Sequence, residues 1–68
     1  MKHNVIPRKF ECIIAECMVG NAKGERMRIT RDYNGLHGVD ENGQNWLVFP
    51  SHLRNPELYK IIEVKKGA

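Results

Sequence analysis

No hydrophobic run in this sequence approaches the roughly 20 consecutive apolar residues that a membrane-spanning helix needs. The start, Met-Lys-His-Asn-Val-Ile-Pro, also lacks the apolar core of a secretory signal peptide. These two absences argue against a helical membrane anchor and against a cleaved leader. We therefore expect a cytoplasmic protein that does not bind membranes.

Cysteine is scarce, with only Cys12 and Cys17, and in a cytoplasmic chain both are expected to be reduced thiols. If the segment around them is a strand, their odd separation turns the two side chains to opposite faces, so they cannot form a disulfide there. Three histidines are present, His3, His37 and His52. Neither the Cys-x-x-Cys nor the His-x₃₋₅-His spacing of zinc sites occurs. We predict no disulfide framework, no metal site and no cofactor.

Catalytic motifs are absent as well. The sequence contains no glycine-rich phosphate-binding loop, no nucleophile elbow and no His-Glu-x-x-His pair. A thiol–imidazole pair could be drawn from either cysteine with His37 or His52. A domain of this size, however, offers little space to exclude water around such a pair. We predict that the protein is not an enzyme.

What the chain does have is the content of one small domain. Its 68 residues leave no room for a second core, and an apolar fraction of 41% is too high for intrinsic disorder. The net charge of +3 gives only a weak bias towards anionic partners. We expect the folded part to span about residues 10–64, with loosely ordered ends. Its stability margin should be narrow and should depend on close packing or self-association.

The middle of the chain alternates between apolar and polar residues, which predicts β-strands. Met27 and Ile29 share one face of the segment 26–33. Asn34-Gly35 and Asn42-Gly43 are preferred pairs for two-residue hairpin turns of type I′. The segments 26–33, 36–41 and 44–49 are therefore predicted to form a three-stranded meander.

The flanking segments carry shorter signals. Pro50 ends the third strand of the meander, since proline cannot donate a ladder hydrogen bond, and residues 51–54 are predicted to form one helical turn. Asn55 and Pro56 start a second turn, and residues 59–64 are predicted to form the final strand. Residues 10–19 fit either a short helix or a buried strand, because periodicity does not decide between the two in a short apolar run.

Two turns of two residues each would fix the register of the meander. Tyr33 would then lie opposite Leu36, and Val39 opposite Trp46. The predicted core face is the more apolar one, which carries Met27, Ile29, Tyr33, Leu36, Leu47 and Phe49. The opposite face would carry the charge-complementary pairs Arg28–Glu41 and Asp32–His37.

This register places Trp46 on the outer face, although it is the largest apolar side chain in the protein. In one interpretation, neighbouring parts of the chain cover the ring, or a bulge at Gly38 shifts the register by one residue and exchanges the faces. In the other, Trp46 is the exposed anchor of a binding patch. The sequence leaves both open.

The order of elements resembles an SH3-like small barrel, and the chain is similar in particular to small phage and bacterial SH3-like proteins. The residues that carry the resemblance are Cys12-Ile13-Ile14, Gly24-Glu25-Arg26-Met27-Arg28-Ile29, Asp40-Glu41-Asn42-Gly43 and Leu53. The resemblance covers about residues 10–64. It implies an all-β fold, a five-stranded SH3-like small barrel with a short helical turn before the last strand. It also favours a strand for residues 10–19.

Such barrels host many unrelated tasks, so the resemblance alone names no activity. We predict a non-enzymatic protein-interaction module, such as a phage or mobile-element accessory that modulates a host protein. The predicted binding patch comprises Trp46, Val39, Val48 and His37, with Arg26 and Arg28 at its rim.

Two other partners are compatible with the sequence. In nucleic-acid binding, phosphates would contact Lys23, Arg26, Arg28 and Arg31, while Trp46 or Tyr33 would stack on a base. The low net charge argues against strong non-specific binding of this kind. A homodimer could instead bury Trp46 against its symmetry mate, which would suit a thin stability margin.

Overall fold

The computed structural model describes residues 3–67, which form one antiparallel sheet of five strands. The strands are β1 (Cys12–Cys17), β2 (Arg26–Asp32), β3 (Gly35–Asp40), β4 (Asn45–Val48) and β5 (Tyr59–Lys65). Their order across the sheet is β4-β3-β2-β1-β5, so β4 and β5 are the two edges. The predicted all-β fold of five strands is confirmed.

Two short helical segments join the strands. A 3₁₀ turn, Gly20–Ala22, connects β1 to β2, and the helix α1, Pro50–Leu53, lies between β4 and β5. Proline occupies the first position of α1, where its missing N–H costs nothing. The predicted helical turn before the last strand is therefore confirmed. Within residues 3–67, no helix is long and apolar enough to span a bilayer.

β1 decides the alternative that the sequence left open for residues 10–19. It is a strand, and it lies between β2 and β5. Ile13 and Ala15 are fully buried on the core face, whereas Ile14 and Glu16, which point the other way, are partly exposed. Cys12, which shares the outer face with Ile14, is also buried. β1 thus holds apolar residues on both faces, which is why its sequence does not alternate cleanly.

The first hairpin turns through Asp-x-x-Gly rather than around Asn-Gly. Asp32 pairs with Gly35, and Tyr33 and Asn34 form the loop. The carboxylate of Asp32 accepts a hydrogen bond from the backbone N–H of Asn34 at 2.7 Å. Gly35 ends the turn at a φ of +124°, which residues with a side chain rarely adopt.

The register of β2 against β3 therefore differs from the predicted one by two residues. Arg31, rather than Tyr33, lies opposite Leu36. A shift of two keeps every side chain on its face, so Ile29 and Leu36 are buried in the core as predicted. The prediction is wrong for Tyr33, which sits in the turn and is 96% exposed.

The second hairpin has a loop of three residues, Glu41, Asn42 and Gly43. The backbone N–H of Asp40 donates to the carbonyl of Gln44 at 3.0 Å, and that of Gly43 donates to the carbonyl of Asp40 at 3.0 Å. Gly43 has a φ of +80°. This is a type I turn followed by a left-handed glycine, the usual three-residue hairpin.

The three-residue loop shifts β4 by one residue from the predicted register and so exchanges its faces. Leu36 lies opposite Val48, and Val48 is buried at 3% exposure. Leu47 and Phe49 were predicted in the core, and this prediction is wrong, since they are 61% and 52% exposed. An exchange of faces caused by a bulge at Gly38 is one interpretation of the sequence. The faces of β4 are indeed exchanged, but the cause is the three-residue loop of the second hairpin.

The last strand contains a bulge that keeps its apolar residues facing inward. Ile61 pairs with Ala15 and Val64 with Ile13, so β5 advances three residues where β1 advances two. The extra residue leaves Ile62 exposed, while Ile61 and Val64 both pack against the core.

The core is small and tightly filled. Its fully buried members are Ile13, Ala15, Ile29, Leu36, Val48 and Leu53. Gly38 has no side chain at a point where Met27 and Val48 need the space. A Cβ atom there would lie 2.5 Å from Sδ of Met27 and 3.2 Å from Cγ2 of Val48.

The amino-terminal segment is fastened to the far end of the chain at Asn4. Its backbone N–H donates to the carbonyl of Arg54 at 2.8 Å. Its side-chain amide donates to the carbonyls of Leu53 and Tyr59 at 2.9 and 2.8 Å. These hydrogen bonds join the amino-terminal segment to the end of α1 and the start of β5. The looseness of the chain ends stays a prediction, and residues 1, 2 and 68 lie outside the described residues.

Candidate binding surface

The structure divides the predicted patch between the two faces of the sheet. Trp46 and Val48 lie on the core side of β4, and Val48 is buried among core residues. Val39 and His37 lie on the outer face of β3, with Arg28 directly opposite Val39 on β2. Val48 cannot belong to an exposed patch, because a buried side chain offers no surface to a partner.

Exposed apolar side chains are instead concentrated along the edge strand β4 and the residue after it. Trp46 is 47% exposed, and Leu47 and Phe49 are more exposed still. The segment 42–51 that contains them has no charged residue. We call Trp46, Leu47 and Phe49 the β4 edge. Of these three residues, only Trp46 was in the predicted patch.

A hydrogen bond from the indole holds Trp46 in place. Its Nε1–H donates to Oδ2 of Asp40 at 2.8 Å. The other oxygen, Oδ1, accepts from the backbone N–H groups of Asn42 and Gln44, each at 2.9 Å. Asp40 is only 9% exposed, so three N–H donors replace the water that its carboxylate has lost. The ring of Trp46 is thus fixed while half of it stays in solvent.

These hydrogen bonds also set the charge state of Asp40. The bond from Trp46 lowers the pKa of the carboxyl most, and the backbone N–H groups of Gln44 and Asn42 lower it further. Burial acts in the opposite direction, and the net result is a pKa below the ordinary 3.8. Asp40 is therefore a carboxylate at neutral pH, the form that best accepts the indole N–H.

The backbone of β4 has one unpaired side. The bond between Asp40 and Gln44 turns the peptide groups of Gln44 towards β3. Because antiparallel ladders alternate, Trp46 and Val48 also bond to β3, while the N–H and C=O groups of Asn45 and Leu47 point away from the sheet. No strand within residues 3–67 pairs with that side.

A partly open cleft of about 180 Å³ lies beside Trp46. Trp46 and Leu47 of β4 and Tyr59 of β5 line it, and the other lining residues are Cys17, Ala22, Glu25, Arg26, Met27 and Asp40. Burial raises the pKa of the Tyr59 hydroxyl, and the neighbouring Cys17 adds to this. Most of the surface that lines the cleft is apolar, and both edge strands contribute to it.

Two acidic side chains, Asp32 and Glu41, make contacts next to basic residues of the sheet. Nε2 of His37 lies 3.3 Å from Oδ1 of Asp32, which confirms the predicted proximity of this pair. The predicted pair Arg28–Glu41 is replaced by a different contact. Oε1 of Glu41 accepts a hydrogen bond from the backbone N–H of Arg26 at 3.1 Å.

Arg31, a candidate phosphate contact, is already engaged within the protein. Its guanidinium donates to the carbonyl of Arg8 and lies 5.0 Å above the centre of the Phe10 ring. This cation–π contact ties the amino-terminal segment to β2. Arg31 is therefore less available to a ligand than its sequence position suggested.

The two cysteines are free thiols at opposite ends of β1. Five residue steps of strand separate their backbones by roughly 16 Å, well beyond disulfide reach. His37 lies on β3, two strand spacings or about 10 Å from β1, too far for a thiol–imidazole hydrogen bond. Across the residues that the structure describes, no cluster of three or more potential metal-binding side chains is present.

Sequence reasoning missed Leu47 and Phe49, although a signal for them exists. Asp40 and Gly43 occupy the first and fourth positions of a type I turn, the positions that aspartate and glycine favour. A type I turn that ends in a left-handed glycine requires three loop residues. Applied to the second hairpin, that rule places Leu47 and Phe49 outside. The same Asp-x-x-Gly pattern closes a two-residue loop in the first hairpin, however, so the pattern by itself does not decide the register.

Comparisons with known proteins found no match from which a role for this surface could be drawn. No protein-family model matches the sequence, and no curated protein or solved structure is similar to it.

Proposed function

We propose that this chain is a small non-enzymatic module that binds a partner protein through the β4 edge. The observation that carries the proposal is the exposure of Trp46, Leu47 and Phe49, three neighbouring positions on or directly after an uncharged edge strand. Exposed aromatic and aliphatic side chains concentrated on one short segment mark interaction sites more often than scattered ones do. Tryptophan is also the residue most enriched among binding hot spots.

The proposal also covers the fold type, the cellular location and the biological role. We assign the chain to the SH3-like barrels, which five short antiparallel strands and a helical turn before β5 support. A reducing cytoplasm suits two thiols that cannot reach each other. The role that we propose in this setting is a phage or mobile-element accessory that acts on a host protein, since the sequence is similar to small phage and bacterial SH3-like proteins.

The non-enzymatic part of the proposal is supported by the separation of the reactive groups. Cys17 faces the core side at one end of β1, while His37 lies on the outer face of β3. The carboxylate of Asp40 uses both oxygens to accept hydrogen bonds from the protein itself. Neither the histidine nor the carboxylate is therefore poised to activate a thiol.

Nucleic-acid binding has less support. Its basic and aromatic residues are dispersed, since Arg28 lies on the outer face and Arg31 contacts Phe10. Arg26 does line the cleft beside Trp46, but a single arginine contributes little to phosphate binding.

The experiment is an affinity capture followed by a titration with purified components. Wild-type and Trp46→Ala proteins are used as baits in a lysate of the source cells, and a protein retained only by the wild type is purified. We expect Trp46→Ala to weaken its binding by at least about tenfold, as for a hot-spot residue. We expect little change between about 50 and 200 mM salt, where phosphate binding would weaken steeply.

Tyr33→Ala is the matched control, because Tyr33 is an even more exposed aromatic residue and lies in the first hairpin turn, away from the β4 edge. It should leave the affinity unchanged. Equal losses from Tyr33→Ala and Trp46→Ala, or an affinity that follows salt concentration, would refute the β4 edge as the binding surface.

A further inference from the structure

We propose that the partner contributes an extended peptide segment, which adds to β4 as a sixth strand and places one apolar side chain in the cleft between β4 and β5. This inference rests on the proposed function and specifies how the same surface is used.

The backbone of β4 supplies the first argument. Asn45 and Leu47 direct their N–H and C=O groups away from β3, as the Asp40–Gln44 bond and the alternation of the ladder require. An extended peptide can satisfy these groups by main-chain hydrogen bonds, the mode known as strand addition. A folded surface without an exposed strand cannot satisfy them in this way.

The size of the cleft supplies the second argument. Its volume of about 180 Å³ is below the roughly 300–1,000 Å³ of drug-sized ligand sites. It is close to the cavity of about 150 Å³ that accepts benzene in an engineered protein core. The cleft therefore fits one aromatic or branched aliphatic side chain. A strand on β4 would direct every second side chain towards it.

The distribution of charge favours β4 over β5 as the binding edge and indicates the composition of the partner's peptide. The β5 edge carries Lys60, Glu63 and Lys65, and charged side chains of this kind protect an edge against strand pairing. The segment 42–51, which contains β4, carries none. A charged peptide residue opposite β4 would lose water, and β4 itself offers it no counter-charge. We therefore assign an uncharged, largely apolar segment.

The exposed area favours a peptide over a second copy of this chain. Trp46, Leu47 and Phe49, each about half exposed or more, offer roughly 300 Å² if a whole aromatic side chain presents about 200 Å². A stable dimer buries about 800 Å² on each partner. The β4 edge provides less than half of that, so main-chain hydrogen bonds to a peptide must supply much of the affinity.

The test uses a displayed library of random linear peptides of about eight residues, selected on the folded protein. We expect selected peptides to share an uncharged core with apolar residues at alternate positions. One of them is then added to isotopically labelled protein, and amide hydrogen exchange is measured. We expect the amides of Asn45 and Leu47 to slow by at least about tenfold on binding. The amides of Trp46 and Val48 are already paired with β3 and should change little.

A pair of variants separates the backbone from the side chain at one position. Leu47→Pro removes an N–H that points away from the sheet, a position where edge strands accept proline, while Leu47→Ala keeps it. We expect Leu47→Pro to bind the selected peptide at least about tenfold more weakly than Leu47→Ala. If Leu47→Pro fails to fold, as judged by circular dichroism, the exchange pattern in the wild type still decides.

The remaining outcomes distinguish this inference from the proposed function. If a lysate protein binds in a Trp46-dependent manner and no linear peptide is selected, strand addition is refuted and the proposed function stands. Unchanged exchange at Asn45 and Leu47 in a peptide complex refutes strand addition equally. A dimer at micromolar concentration in sedimentation, abolished by Leu47→Pro, would make a second copy the occupant and overturn the peptide assignment. Failure of both the capture and the selection overturns the proposed function as well.

Discussion

The β2–β3 and β3–β4 hairpins both turn through Asp-x-x-Gly, yet they place the following strand differently. In each, the aspartate accepts a hydrogen bond from the backbone N–H two residues on, and the glycine has a positive φ. The first loop contains two residues between paired positions, and the second contains three. The first aspartate, Asp32, is half exposed beside His37, whereas Asp40 is buried and holds Trp46.

One additional loop residue therefore decides which side chains of β4 point outward, where a partner can contact them. A further bond, from the backbone N–H of Gln44 to Asp40, accompanies the longer loop. The resulting register directs Val48 inward and Leu47 outward. The binding surface is therefore a product of the turn as much as of the strand.

Deleting Asn42 should have the largest effect, because it removes the difference in loop length between the two hairpins. The deletion shortens the second loop to two residues, which would turn Val48 out of the core and Leu47 into it. We expect a loss of about 3 kcal/mol or more in the free energy of unfolding, from the buried apolar groups displaced. That is a large share of the 5–15 kcal/mol typical of a whole domain. Urea unfolding measures it. Asn42→Ala keeps the loop length and should stay within about 1 kcal/mol of the wild type; equal stability of the two variants would contradict the register.

Alanine substitutions at neighbouring positions of β4 test the register without changing the turn. Val48→Ala should lower the free energy of unfolding by about 1.5–3 kcal/mol, since the side chain is fully packed. Leu47→Ala should change it by less than about 0.5 kcal/mol, because Leu47 is largely in solvent. Thermal or urea unfolding of the pair measures the difference. A larger loss at Leu47 would show that the faces are the reverse of those described.

The two turn glycines allow a matched comparison of backbone strain. An added Cβ meets no atom within 4 Å at either position, so a substitution there reports conformation alone. Gly43, at a φ of +80°, lies near the left-handed region that asparagine tolerates, whereas Gly35, at +124°, lies beyond it. We expect Gly35→Asn to cost about 1–3 kcal/mol and Gly43→Asn less than about 1 kcal/mol. Chemical denaturation of both variants measures the two stability costs, and a larger cost for Gly43→Asn than for Gly35→Asn would contradict this prediction.

The smallest expected effect concerns the pH dependence of stability at acidic pH, to which Asp40 contributes. Its pKa is lower in the folded protein than the ordinary 3.8, so the unfolded chain takes up the proton more readily. The resulting stability is fully present above that ordinary value and is lost as the pH falls through the lowered one. We expect Asp40→Asn to flatten the acid limb of the stability curve, measured by urea unfolding at a series of pH values. Asp32→Asn serves as the control and should keep the limb; a limb that survives in Asp40→Asn would assign it to other carboxylates.

The sequence was sufficient for the strands and insufficient for their register. The alternation around Met27 and Ile29 predicts β2 correctly, because side-chain period is a local property. The register depends on whether the Asp40 side chain or Asn42-Gly43 defines the turn, and the two alternatives differ by a single residue. The bulge at Ile62 is invisible to pattern reasoning for a similar reason, since it follows from the fit of β5 to the core.

The candidate site was predicted only around Trp46. Its exposure was one of two interpretations, and its bond to Asp40 depends on the three-residue loop. The predicted two-residue second loop puts Leu47 and Phe49 on the same face as Ile29, the more apolar face of the meander, and so assigns them to the core. The engagement of Arg31 by Arg8 and Phe10 joins distant segments, so spacing within β2 carries no trace of it.

The fastening of Asn4 to Tyr59 has a consequence for the order in which the protein forms. The two residues are 55 positions apart, and β1 pairs with β5 across a similar separation. The meander of β2, β3 and β4 can assemble from neighbouring hairpins, but the sheet gains its fifth strand only after β5 has been synthesised. Distant pairings of this kind slow folding to milliseconds or longer. On the nascent chain β1 can pair with β2, but its other edge stays unpaired until β5 emerges.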